Sequence, residues 1–146
     1  MHRHGIRVVS AVLLGTNPCN QNMSLAPYLS AVKSFKIQKL ISRFRCGCHG
    51  LHVDTGRLLP LAQQVPREQR HCVFCASGSA EDEHHFVFDC PAYCAIRNRF
   101  TKIFWGPSPT LSSFFTLYDP KVIARFLWEC FEHRNTLVAA QSGHTL

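Results

Sequence analysis

The sequence predicts a mainly α-helical fold: a small helical domain braced by a Cys-Cys-His-Cys knuckle, with an irregular, basic amino-terminal half. Three observations predict it. Apolar residues recur three to four apart across 25–45 and again across 91–105, the period of an amphipathic helix. Asp119 followed by Pro120 is a helix start, an N-cap with proline in the first turn. Cys72 and Cys75, with two residues between them, stand at the spacing of two thiolates on one metal ion.

The elements follow in chain order. Met1 to Arg7 and the apolar run Val8 to Gly15 imitate a secretion signal, but the run is short, holds Ser10, and leads into Thr16-Asn17-Pro18-Cys19, a turn and not a cleavage site. A marginal segment ahead of the domain is expected. Residues 25–45 read as one amphipathic helix starting near Pro27, with Leu25, Leu29, Val32, Phe35 or Lys36, Leu40 and Phe44 on its apolar face. Gly47, Gly50, Gly56 and Pro60 make 46–60 a set of turns, and 61–70 is polar and loop-like. Pro91 opens a second helix, whose stripe is Tyr93, Ile96, Phe100, Ile103 and Phe104, running to about Trp105. Gly106 to Pro109 breaks it. The last helix, 119–135, buries Ile123, Phe126, Leu127, Cys130 and the stem of Arg134; Gln141 to Leu146 is expected to fray. Three units result: an N-terminal segment 1–24 whose order is left open, a basic helix plus knuckle over 25–105, and a linker with the final helix over 106–146.

Charge is unevenly spread. The chain carries a formal +7, yet residues 1–80 hold ten lysines and arginines against two acids, Asp54 and Glu68, while 81–146 hold six against seven. A basic front half points to a polyanion partner. No apolar run approaches the roughly 18–20 residues of a membrane span. Neither a GxxxxGK[ST] nor a GxGxxG phosphate loop is present, and no repeat is evident. No membrane partner and no small-molecule substrate are therefore expected.

Eight cysteines would suit four disulfides in a secreted chain, but the close pair Cys72 and Cys75 argues for a reduced, metal-holding protein inside the cell, nuclear or cytoplasmic. Gly78, in a run of small residues, lets the chain turn back, and a histidine with Cys90 can complete a tetrahedral shell. The residues alone leave His84 and His85 in competition, and Cys94, one helical turn past Cys90, could replace it. Zinc suits such a closed nitrogen and sulfur shell. Cys19, Cys46, Cys48 and Cys130 are expected as small buried hydrophobes, and Cys46-Gly-Cys48-His49 lacks a fourth ligand for a second site. Of Glu81, Asp82, Glu83 and Asp89, one could orient a ligand histidine, but a solvated loop is expected for most.

These residues carry a resemblance. Arg43-Phe-Arg45, His49, Leu51, Asp54, Gly56-Arg57, Arg70-x-Cys72-x-x-Cys75, Glu81-Asp-Glu83-x-His85-Phe86 and Cys90-Pro91-x-Tyr93-x-x-x-Arg97 follow in order. So placed, they resemble the zinc-binding segment at the carboxyl end of non-LTR (LINE-type) retrotransposon reverse transcriptases. The resemblance implies Cys72, Cys75, His85 and Cys90 as zinc ligands, with His85 chosen over His84 because Phe-x-x-x-Cys-Pro follows it. It also implies a grip on template RNA or target DNA. Cys48 departs from the pattern, where a small polar residue is usual.

A polymerase needs paired aspartates to hold its metal ions, and no Asp-Asp pair occurs here. The expectation is a stand-alone tail without enzymatic activity: a zinc-braced module binding RNA or DNA through Lys33, Lys36, Lys39, Arg43, Arg45, Arg57, Arg67 and Arg70. Phe86 and Phe88 are expected in the core and not as stacking platforms. The alternatives are a zinc-supported protein-interaction module, docking on the rest of a reverse transcriptase, or a non-functional retroelement fragment.

Overall fold

Residues 26–104 and 110–143 are described by a computed structural model; the expectations for segment 1–24, Leu25, Cys19, Trp105, the 106–109 breaker and 144–146 lie outside them. The described residues are mainly helical, with one isolated antiparallel bridge, His71 to Ala80, and no strand. None of their helices is long and apolar enough to cross a membrane.

The long helix is the spine. It runs from Pro120 to Ser142, 23 residues (about 35 Å), and is the seventh α-helix, α7. Asp119 caps it as expected, its carboxylate accepting the Lys121 N–H at 2.8 Å. The helix passes residue 135 and continues through Gln141 and Ser142, where fraying was expected, and the Gln141 amide reaches back to the Val73 carbonyl at 3.3 Å. Ile123, Ala124, Phe126, Leu127 and Cys130 form its buried stripe. Against it pack α1 (Pro27–Ala31), α2 (Phe35–Arg45), α4 (Cys94–Arg97) and α6 (Leu111–Thr116).

The single helix expected over 25–45 is broken into α1 and α2. Val32 is buried at the break, and the Gln38 amide donates to the Leu29 and Val32 carbonyls, so the turn's freed acceptors are satisfied by a side chain. Phe35, offered as a core residue, is 77% exposed in the first turn of α2. The far end of α2 closes in a Schellman motif: Gly47 takes φ +67°, its N–H reaches Phe44 and the Cys48 N–H reaches Arg43. The turns of 46–60 contain one short helix, α3 (His52–Thr55). Residues 61–70 hold single 3₁₀ turns at Leu61–Gln63 and Arg67–Gln69.

The second expected helix is also segmented, into a 3₁₀ turn at Pro91–Tyr93, then α4, then α5 (Thr101–Phe104). Its stripe survives the interruption: Tyr93, Ile96 and Ile103 are buried, and Phe100 and Phe104 are packed on the core. Helix α6 occupies what reads as linker, with Thr110 and Ser113 capping each other reciprocally and Phe114 buried.

Aromatic rings join these pieces. Phe86 contacts Phe44, Tyr93 and Phe131 with centroids 4.7–6.0 Å apart. Phe126 meets Phe100, Phe104 and Phe114 in edge-on pairs. Phe86 and Phe88 are core residues, as expected.

Candidate metal centre

Four donor groups converge beside this core. Cys72, Cys75, His85 and Cys90 each bring one ligand atom, and all of these atoms lie within 4.8 Å of one another. The local folding explains how. Cys72 and Cys75 sit on a knuckle closed by hydrogen bonds from the Cys72 N–H to Ser79 (2.9 Å) and from the Glu81 N–H to Arg70 (2.9 Å). Gly78, at φ +71°, turns the chain back.

His85 and Cys90 lie on a π-helical turn, His85–Asp89, closed by the Cys90 N–H to the His85 carbonyl at 2.7 Å. Residues five apart on an α-helix point about 140° apart. The wider π turn carries Cys90 round to the side of His85, a winding often found at functional sites. Asp82 starts this turn by accepting the His85 N–H at 2.9 Å. Arg97 closes it, donating to the Cys90 carbonyl, with its other amino group 3.5 Å from that of Val87.

Two of the donor separations are close to those a tetrahedral ion needs. Cys72 Sγ and Cys90 Sγ are 3.8 Å apart, and Cys75 Sγ is 3.3 Å from His85 Nε2. With bonds of about 2.3 Å to sulfur and 2.0–2.1 Å to nitrogen, tetrahedral geometry asks for separations of about 3.5–3.8 Å. Cys72, His85 and Cys90 are buried and Cys75 is half-buried, so the cluster opens to solvent on the Cys75 side. Burial pushes the Cys90 thiol up to about 12 and raises Cys72 as well. Burial opposes ionisation of Cys75 too, but hydrogen bonds from Ser77, Cys72 and Cys90 outweigh it and hold that thiol below its ordinary value. Burial also lowers His85, against the pull of Asp89, Asp82 and Glu81, which favours the neutral imidazole a metal requires.

The alternatives separate cleanly. His84 is exposed and points away, with Nδ1 3.0 Å from Asp89 and its ring against Phe88. Cys94 is exposed and outside the cluster. Cys46 and Cys48, expected as buried hydrophobes, are both exposed because they flank Gly47 in the turn that ends α2, whereas Cys130 is buried as expected.

Of the acidic group expected mostly as a solvated loop, Asp89 is exposed and Asp82 partly so, but Glu81 and Glu83 are buried. Glu81 is 1% exposed, held by Arg134 through Nε (2.8 Å) and NH2 (3.0 Å) and by the His52 N–H at 2.7 Å. Glu83 is also buried, bonded to His49 Nε2 at 2.7 Å and to Arg67 at 3.1 Å. Burial raises the Glu83 carboxyl, but the His49 and Arg67 contacts prevail and hold it below its ordinary value. His49 Nδ1 accepts the Leu51 N–H, so Nε2 is the nitrogen that donates to Glu83. These tie the knuckle to α7 and to the turn after α2. The sequence does not indicate these pairings, although the Arg134 stem is largely buried, as its place four residues beyond Cys130 on an apolar stripe predicts.

The basic residues divide in two. Lys33, Lys36, Lys39 and Arg43 are exposed on α2 or just before it. Among the described residues these four form no ion pair. Arg43 Nε donates to the Cys48 carbonyl at 2.8 Å, and the Lys36 ammonium lies over the Trp128 ring. Arg45, Arg57, Arg67 and Arg70 are held by rings, carboxylates or carbonyls elsewhere in the fold. Arg45 lies 4.9 Å over Phe115 and 5.6 Å over Tyr28, and Arg57 donates to Asp54 at 2.9 Å. Arg67 holds Glu83, and Arg70 donates to the Val53 and Val65 carbonyls. Gly56 makes room for Arg70, whose Cδ would stand 2.6 Å from a Cβ there.

No protein-family model, curated protein or solved structure matches this chain.

Proposed function

We propose that the chain is a structural-zinc module that binds RNA or DNA, similar in kind to the carboxyl-terminal segment of a LINE-type reverse transcriptase and without catalysis of its own. The observation that carries this is the convergence of three sulfurs and one imidazole nitrogen within 4.8 Å. Three thiolates and one histidine are a zinc set, and four protein ligands leave no open position for a reacting water. Bound there, the ion would lock the knuckle to the π turn and supply rigidity, not chemistry. A reducing, intracellular setting, nuclear or cytoplasmic, keeps the thiols available.

Nucleic-acid binding is supported by the exposed cations on and just before α2. Four phosphate contacts by Lys33, Lys36, Lys39 and Arg43 predict a log–log salt slope of about −3 on single strands. The test is a salt titration of RNA and DNA binding by the zinc-loaded chain and its Lys39→Glu and Arg43→Glu variants. Each reversal should weaken binding and flatten the slope, with the helical circular dichroism unchanged. Affinity equal to the parent in both variants would remove the nucleic-acid reading.

A second reading, a zinc-supported protein-interaction module, is favoured by one feature. Leu58 and Leu61 stand 74% and 87% exposed on the loop after α3, beside half-exposed Leu59 and Val65. A leucine-to-serine change at 58 and 61 that abolishes capture of a protein partner, without affecting nucleic acid, would favour it.

A further inference from the structure

A groove of about 380 Å³ runs between α2 and α7, and its two walls differ in chemistry. One wall is cationic. Lys36, Lys39 and Arg43 line it at i, i+3 and i+7, a spacing that puts all three on one face of α2. The other wall belongs to α7 and presents Trp128, Glu132 and Asn135. The Trp128 indole is half-buried, and the Lys36 ammonium lies 4.6 Å from its ring centroid. That contact sets the Lys36 ammonium over the indole's π face, on the side of the cationic wall. Among the described residues, neither the Glu132 carboxylate nor the Asn135 amide has a hydrogen-bond partner.

From this pairing we infer that the groove seats one unpaired nucleotide. Its base stacks on Trp128 and its phosphate is held by Lys36, Lys39 and Arg43. The inference rests on the nucleic-acid reading above and narrows it to single strands. A simple anion uses the cations and leaves the indole idle. A duplex keeps its bases stacked inside and cannot offer one to a groove at the small end of the ~300–1,000 Å³ range of ligand sites. An unpaired nucleotide has both parts, a flat ring and an anion a few ångströms away. As the base enters, it replaces the Lys36 ammonium over Trp128, and the freed ammonium moves to the phosphate. Glu132, which would repel a second phosphate, can accept from a base amino group, and Asn135 can donate or accept on the same edge.

The chain has two tryptophans, so a Trp105→Phe background makes Trp128 the single indole. The zinc-loaded full-length protein in that background is titrated with a ten-nucleotide single-stranded RNA, the matching DNA strand and a blunt duplex. Emission is followed throughout, and binding is measured independently by anisotropy of a labelled strand. Single strands should quench Trp128 and duplex should not. Trp128→Leu should weaken single-strand binding about tenfold or more, against less than twofold for duplex. Should Trp128→Leu fail to fold by circular dichroism, the quench itself and the surface variant Asn135→Ala carry the test, with at least a threefold loss expected on single strands. Saturating single-strand binding without quenching, or with unchanged affinity in the folded variants, overturns the groove and leaves the nucleic-acid reading standing. Absence of binding to every nucleic acid at low salt overturns both. A glutamate-rich peptide that quenches Trp128 and displaces the strand also overturns the assignment, in favour of an acidic protein partner.

Discussion

At the scale of residues, buried charge is the most consequential feature around the candidate metal centre. Glu81 is enclosed, and the Arg134 guanidinium, over Phe74 at 5.3 Å, is its counter-charge. Burial disfavours the charged Arg134, but the hydrogen bond and charge of Glu81 more than compensate and raise its pKa. Removing one partner strands the other, so Arg134→Met should cost about 3–5 kcal/mol in denaturant unfolding. Replacing both Glu81 and Arg134 with leucine should recover a large part of that loss, which a double-mutant cycle would measure. Ligand choice is decided at the same scale. His85→Ala should lose stoichiometric metal while His84→Ala and Cys94→Ser keep it, as metal analysis of the purified variants would show. The ligand types and their spacing were legible in the sequence, because a knuckle and a π turn are local. The partner of Glu81 was not, since it lies 53 residues away and no local pattern reports a pairing of that range. Glu83 escaped for the same reason, with His49 34 residues upstream.

Elements tell a similar story. Periodicity located the apolar stripes of α2, α4, α5 and α7, but not where the helices stop. The break after α1 depends on Gln38 collecting the Leu29 and Val32 carbonyls, a side-chain bond that hydrophobic period cannot register. Helix α6 was hidden because its capping box pairs Thr110 with Ser113 in place of the usual Glu or Gln. Helix α7 began where Asp119 and Pro120 predict, and overran its expected end because Gln141 finds a partner in the knuckle. Asp119→Ala should cost about 0.5–1 kcal/mol, the low end for an N-cap because the residue is exposed, with the loss read as a lowered thermal midpoint.

For the whole molecule, one arrangement links these parts. Helix α7 supplies the core stripe, the counter-charge for Glu81 and one wall of the groove, while α2 supplies the cations and the opposite wall. The basic front half seen in the sequence thus separates into two populations. Lys33, Lys36, Lys39 and Arg43 face solvent, while Arg45 packs on Phe115 and Arg57, Arg67 and Arg70 hold the turns that carry the knuckle. Composition counts all of them alike; only the fold shows which are exposed and which are tied into its turns. A metal ion at the four donors would fasten both populations to the same frame. Native mass spectrometry of the chain, purified reduced and metal-replete, with and without a chelator, tests this most directly when paired with circular dichroism. A structural site predicts one zinc per chain and loss of fold when the chelator strips it. A folded chain that carries no zinc under those conditions would contradict it.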